Sequence, residues 1–313
     1  MKPGYLILQQ SGELSVRATQ AVELLSDCRL CPRECGVNRL QDKTGFCGIG
    51  RKVVVASFNP HFGEESPLVG RHGSGTIFFA SCNLKCVFCQ NYDISHDADA
   101  GLQAEPEELA GIMLRLQEQG CHNINFVTPS HVVPQILEAL PIAAEHGLKI
   151  PLVYNTSSYD SLNTLRLLDG VVDIYMPDVK IWNPAHAGRL LRAKDYPDRA
   201  RKAVREMHRQ VGDLVLDNGI ALRGLLVRHL VMPEDIAGTR QWMKFLAGIS
   251  PHTYLNIMDQ YRPAGEAGKY EDINRFISPE EFQNALNEAK THKMERLDRK
   301  SSHFLELLFK NLH

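Results

Sequence analysis

One pattern governs the middle of the chain: short apolar runs separated by longer amphipathic stretches. TIFFA (76–80), INFVT (124–128), PLVYN (151–155), VVDIYMP (171–177), GLLVRHLV (224–231) and TYLNI (253–257) have the length and continuous apolarity of strands buried on both faces. Between most of them, apolar residues recur at helical spacing over 106–120, 132–147, 159–170, 196–210 and 236–248. A strand–helix–strand repeat requires right-handed crossovers and a parallel sheet. The sequence therefore predicts an α/β fold, and six such strands suit either a doubly wound sheet or an incomplete β/α barrel. With 313 residues, 43% of them hydrophobic, the chain can bury a sizeable core without covalent staples. Outside the repeat, 12–27 reads as a helix, KVVVAS (52–57) as a strand and 59–75 as an irregular connection. DLVLDNGIALRG (213–224) reads as a hairpin turning at Asp217-Asn218-Gly219. Residues 278–313 read as one or two helices, opened by a capping box of Ser278 and Glu281.

The eight cysteines are clustered: four at 28, 31, 35 and 47, three at 82, 86 and 89, and Cys121 alone. The N-terminal stretch MKPGYLILQQSGELS lacks the pattern of a secretory or transit signal, and no run approaches the ~18 apolar residues of a membrane span. A cytoplasmic location with no membrane partner is the expectation, and reduced, clustered cysteines then point to metal. A formal net charge of −2 and basic runs interspersed with acids argue against a nucleic-acid partner.

Cys82, Cys86 and Cys89 stand in a C-x3-C-x2-C spacing directly after the first barrel-type strand, where parallel β/α folds place ligand sites. Three thiolates on a cubane iron–sulfur cluster leave one iron open to a small molecule, and iron, unlike zinc, passes electrons. A zinc ion completed by a nearby imidazole such as His96 is the competing reading. The four cysteines of CRLCPRECGVNRLQDKTGFC, in C-x2-C-x3-C-x11-C spacing, suffice for a tetrahedral zinc or for every corner of a second cluster. Cys121 reads as a small core residue.

C-x3-C-x-aromatic-C after an early strand resembles the signature of the radical S-adenosylmethionine (SAM) enzymes. FFASCNLKCVFCQNYDIS, NINFVTPSH, LVYNTSSYD, DGVVDIYMPDVK, RGLLVRHLVMPED and NIMDQYRP extend the likeness to the pyruvate formate-lyase activating enzyme-like branch, the one with an extra N-terminal cysteine cluster. The resemblance implies a partial (β/α)6 barrel and a [4Fe–4S] cluster on Cys82, Cys86 and Cys89. It also implies SAM chelating the open iron, and a 5′-deoxyadenosyl radical that takes hydrogen from substrate. Phe88 suits the adenine as an apolar face. Activating enzymes carry Gly-Gly-Glu after the second barrel strand to hold the SAM amine. This chain has Thr128-Pro129-Ser130-His131 there, so the hydroxyls of Thr128 and Ser130 are the expected acceptors. His131 is read either as reaching the cofactor or as a helix-opening residue without chemical duty.

Further site residues are expected at strand ends: Asn155, the pair Asp178 and Lys180 (similar to the family's Asp-x-Lys), Arg228 and Asn256. Strand alternation lets only one of Arg228 and His229 point inward, and Arg228 is the expected one. His61, Glu64 and Glu65 read as solvated charge or as contacts shaping the site mouth. The auxiliary site is read as a second [4Fe–4S] cluster or zinc. The expected division is 1–60 as a helix and cysteine-rich extension, 61–277 as the barrel and 278–313 as a helical tail. The function expected is radical modification of a protein or peptide backbone of the glycyl-radical type, fed by a reduced flavodoxin- or ferredoxin-type donor. Radical modification of a small molecule or of a peptide precursor, and a non-catalytic metal scaffold, are the alternatives.

Overall fold

The computed structural model of the protein describes residues 1–298. Its strands are β1 (Val53–His61), β2 (Ser74–Phe79), β3 (Leu102–Ala104), β4 (Ile124–Val127), β5 (Leu152–Thr156), β6 (Ile174–Val179), β7 (Val215–Asp217), β8 (Ile220–Leu230), β9 (Tyr254–Met258) and β10 (Arg296–Leu297). The sheet order is β10-β9-β8-β6-β5-β4-β2-β1-β3, with β7 paired to β8. From β2 to β10 along this order every neighbour is parallel, whereas β1 is antiparallel to both β2 and β3. The six apolar runs are therefore the parallel staves β2, β4, β5, β6, β8 and β9; the α/β architecture is the one the alternation predicts, and it is consistent with the partial barrel that the resemblance implies. Strand β1 runs across residue 60 and belongs to this sheet.

The helices Pro106–Glu118, Val133–Glu145, Leu162–Leu167, Tyr196–Val211 and Thr239–Ala247 fall within the predicted stretches. The hairpin turns where Asp217-Asn218-Gly219 predicts, and Ser278 and Glu281 form the expected reciprocal cap of Pro279–Thr291. Three elements depart from expectation. A helix at Gly4–Gln10 precedes the expected one. It is docked by the Gly4 N–H on Asp173 Oδ1 at 2.9 Å and by buried Tyr5. The helix Pro184–Leu190 starts at Asn183, whose side chain accepts from the Ala185 and His186 N–H groups. The C-terminal helical reading ends at Thr291, after which the chain adds β10 to the sheet edge; any second helix there lies outside the described residues.

Alternation along the staves layers the barrel interior. Val153, Ile174, Met176, Leu226 and Tyr254 pack around Leu68 of the short helix Ser66–Val69, so the β1–β2 connection plugs one end. Two residues further along each strand the inward positions turn polar: Asn155, Asp178, Arg228 and Asn256. That change of polarity, at the C-terminal ends of the staves, fixes where a ligand site can be.

Candidate active site

The loop after β2 carries Cys82, Cys86 and Cys89 to the mouth of the barrel, where all three line a cavity of about 230 Å³. The loop is held in a tight, left-handed conformation at Ser81 (φ 66°) and Lys85 (φ 52°), uncommon for residues with a Cβ and frequent at functional sites. Its sulfurs already have donors. The Leu84 N–H points at Cys82 Sγ (3.3 Å) and the Ser95 hydroxyl at Cys89 Sγ (3.1 Å). Burial pushes the Cys82 and Cys86 thiols up, and the nearby Lys180 charge pulls Cys86 back down in part. Thiols in this setting ionise when a cation takes the proton's place. Phe88 is buried on the same wall, its ring 6.1 Å from that of Tyr261.

Across the cavity lies a charge network built by strand register. Asp178 pairs with Arg228, and Arg228 with Asn256, as direct neighbours on β6, β8 and β9. Arg228 Nε donates to Asp178 Oδ1 at 2.6 Å and Nη2 to Asn155 Oδ1 at 2.8 Å. Lys180 Nζ takes the other Asp178 oxygen at 2.8 Å. Burial alone would raise the Asp178 carboxyl, but Arg228 and Lys180 outweigh it and hold it down at about 2. Burial opposes the charge of Lys180 as well, and Asp178 and Cys86 more than compensate. His229 faces the other way, its ring nitrogens 2.9 Å from Val179 O and 2.9 Å from Thr239 Oγ1, so Arg228 is the inward residue as alternation predicts.

Residues 76–232 match the model of the Radical SAM superfamily. An uncharacterized protein of Methanocaldococcus jannaschii is 32% identical over 289 residues, covering 90% of this chain and 80% of that relative. A second uncharacterized protein of the same organism is 25% identical over 172 residues, 49% of each chain. The chain belongs to the radical SAM superfamily. That family implies a [4Fe–4S] cluster and SAM, and the donor set here fits: three cysteines beside a cavity that Phe88 and Lys180 also line. Among the described residues no three His, Cys, Asp or Glu side chains converge on a single ion. A cubane asks for something wider, since each sulfur goes to a different iron. Among the described residues His96 likewise does not converge with these cysteines on one ion; its ring stacks on Tyr92 at 3.9 Å and its Nδ1 meets Ser95 Oγ at 2.9 Å.

In this radical SAM protein, Cys82, Cys86, Cys89, Phe88, Thr128, Asn155, Asp178, Lys180 and Arg228 share the cavity wall, and Ser130 and Asn256 do not. Ser130 is buried behind it, 3.1 Å from Thr156 Oγ1, which in turn bonds Asp160. Asn256 donates to Glu65 Oε1 at 2.9 Å beneath the network. His131 neither reaches the cavity nor sits idle. Buried, with a ring that burial drives down to about 4, it meets Ala80 O at 3.0 Å and gives its own carbonyl to Arg39. For Glu64 and Glu65, read as solvated charge or as contacts shaping the site mouth, the structure departs from the first alternative. Both are buried, with Glu64 Oε2 3.4 Å and Glu65 Oε2 3.9 Å from Arg228 Nη1. Their place in a glycine-bearing connection suggested solvent. The signal that would have found them is Pro67-Leu68-Val69, an apolar anchor that drags the acids into the barrel.

The four N-terminal cysteines line one small pocket with Arg33, Arg39, Phe46, Asn83 and His131. The pocket they line has a free volume of only about 10 Å³. This pocket backs onto the radical SAM loop, because Asn83, next to Cys82, is part of its wall. Ser81 Oγ donates to the Cys47 carbonyl, and Arg33 donates to the Asn83 carbonyl (2.9 Å) and the Leu84 carbonyl (3.3 Å) while lying 3.8 Å over the Phe46 ring.

Proposed function

We propose that the protein takes a hydrogen atom from the backbone of a protein or peptide, as in the activation of glycyl-radical enzymes. When bound, a [4Fe–4S] cluster and SAM supply one-electron cleavage of a C–S bond and thereby a 5′-deoxyadenosyl radical. The chain's own residues hold and orient these groups. Cys82, Cys86 and Cys89 furnish three thiolates and leave one iron for SAM. Lys180 and Arg228 bring positive charge for the SAM carboxylate, Thr128 and Asn155 offer oxygens to its amine, and Phe88 gives the adenine an apolar face.

The observation that supports a backbone substrate is the size of the cavity. About 230 Å³ is below the roughly 300–1,000 Å³ of pockets that enclose a small ligand, and SAM itself would claim it. The reacting C–H bond then has to enter past the rim at Asn91 and Gln260, carried on a segment of something larger. The test is anaerobic reconstitution with iron and sulfide, then SAM and a strong reductant, with Cys86→Ala as control. Peptides and folded proteins bearing Cα-deuterated glycine are compared with free deuterated metabolites. Deuterium in 5′-deoxyadenosine from the peptide or protein arm supports the reading. Deuterium only from free metabolites sinks it in favour of a small-molecule enzyme.

We propose also that Cys28, Cys31, Cys35 and Cys47 hold a second [4Fe–4S] cluster that receives electrons from a reduced flavodoxin- or ferredoxin-type donor. The position of Asn83 supports this, since it lines the four-cysteine pocket and directly follows Cys82 in the chain. Zinc is the second reading, and iron and zinc analysis of air-free protein decides between them.

A further inference from the structure

Among the described residues, no carboxylate pairs with the buried cation Arg39. The residue is 1% exposed. Nε donates to the Gly50 carbonyl at 3.0 Å, Nη1 donates to the His131 carbonyl at 2.7 Å and lies 3.9 Å from Cys28 Sγ, and Nη2 is buried with no hydrogen-bond partner. Arginine is almost never fully buried unless paired, and an unpaired buried charge is among the most destabilising features a fold can carry. Two carbonyls solvate part of the guanidinium but bring no negative charge. The acidic groups that face it are the four thiols of the pocket it lines, three of them buried.

We infer that Arg39 is the counter-charge of a four-thiolate metal centre at Cys28, Cys31, Cys35 and Cys47. The inference rests on reading those cysteines as a metal centre and deepens it by naming the residue that balances it. A zinc ion with four thiolates and an oxidised cubane with four thiolates carry the same formal charge, a dianion. A buried dianion needs positive charge close by, and Arg39 is the buried cation that touches one of its sulfurs. The same guanidinium ties the centre to the radical loop. Its Nη1 holds the His131 carbonyl, and the His131 ring holds the carbonyl of Ala80, two residues before Cys82. Arg39 is thus a positioning residue, acting on the centre through charge and on the loop through His131.

The test compares full-length wild-type protein with Arg39→Gln, Arg39→Lys and Cys31→Ala, all purified without oxygen. Iron and zinc per chain, metal loss to a chelator and, for iron, the midpoint potential of the second centre are measured. Charge removal is expected to weaken metal retention by roughly 10–100-fold, as loss of outer-shell partners does elsewhere. In an iron centre the Gln variant should also shift to a more negative potential, because a nearby cation favours the more reduced state. Arg39→Lys should recover most of both effects, and the cluster of the three-cysteine loop should keep its own iron throughout. Wild-type retention and potential in Arg39→Gln overturn the assignment. Should that variant fail to fold, Arg39→Met, which keeps the apolar stem and drops the charge, answers the same question against Arg39→Lys. Unchanged metal content in Cys31→Ala overturns the centre itself, an outcome distinct from an intact centre indifferent to Arg39.

Discussion

The two cysteine loops lie back to back and share the segment Ser81–Asn83, yet they differ in almost everything around the sulfurs. The three-cysteine loop opens on about 230 Å³ lined by Asp178, Lys180 and Arg228, while the four-cysteine loop closes on about 10 Å³ with one buried arginine. A full set of four thiols needs nothing further from outside, and the fold seals it. A set of three leaves one face for a ligand, and the fold supplies that face with charge, hydrogen-bond acceptors and an aromatic wall. The neighbours of the sulfurs distinguish the two loops as much as the number of sulfurs does.

The largest effect expected is that of Cys86→Ala. It should abolish SAM cleavage to the level of a protein-free control and remove the iron of the open site, while the metal proposed at Cys28, Cys31, Cys35 and Cys47 should remain. Loss of metal from both loops in this variant would break the contrast, since it would make them one coupled assembly. Next is Asp178→Asn. The substitution leaves Lys180 and Arg228 facing each other with no full counter-charge between them, and breaking a buried pair from one side typically costs about 3–5 kcal/mol. Urea unfolding measures the loss, and 5′-deoxyadenosine formation should fall with it. The wild-type carboxyl is held down at about 2, so its stabilisation is complete above its ordinary range and fades as pH falls through it.

How much of this was readable beforehand differs between strands and loops. The six staves were legible because strands buried on both faces must be continuously apolar. Asp178 and Arg228 were legible because a charge interrupting such a run has to face a site. The register that makes them neighbours follows from parallel pairing and was not in the sequence. The burial of Glu64 and Glu65 was not legible because the β1–β2 connection carries no periodicity, and only its packing through Leu68 takes it into the barrel. Ser130 and His131 were placed nearer the cofactor than they are. The 3₁₀ turn Pro129–His131 points them behind the wall, to Thr156 and to Ala80.

Glu64→Gln sharpens the comparison from the side of the open site. Burial raises the Glu64 carboxyl most, Arg228 lowers it and Glu65 raises it again, giving about 7 in place of 4.5. A folded-state value above the unfolded one means the folded protein prefers the protonated acid. The contribution is therefore complete below about 4.5 and is lost as pH rises toward 7. The rise corresponds to at most roughly 3 kcal/mol, less for a group sharing Arg228 with a second acid. Glu64→Gln should flatten the decline of melting temperature between pH 5 and about 8 and leave the variant the more stable protein at the upper end. An unchanged pH profile would mean that the acids share their proton differently.

Thr128→Gly should have the smallest effect, and its sign is the informative part. Thr128 has φ 59° and ψ 51°, a left-handed conformation that strains a β-branched residue by roughly 1–2 kcal/mol. Glycine removes that strain but loses about 0.5–1 kcal/mol through the freedom of the unfolded chain. A net gain of about 0.5–1 kcal/mol in unfolding free energy is expected if the fold alone is counted. The hydroxyl, however, lines the cavity where activating enzymes carry Gly-Gly-Glu, so the same change should weaken SAM binding, read by calorimetry on the reconstituted protein. Stability rising while affinity falls would mark Thr128 as a residue kept strained for its ligand. Both rising together would reduce it to an imperfect replacement for glycine, and the SAM amine would then have to find its acceptor at Asn155.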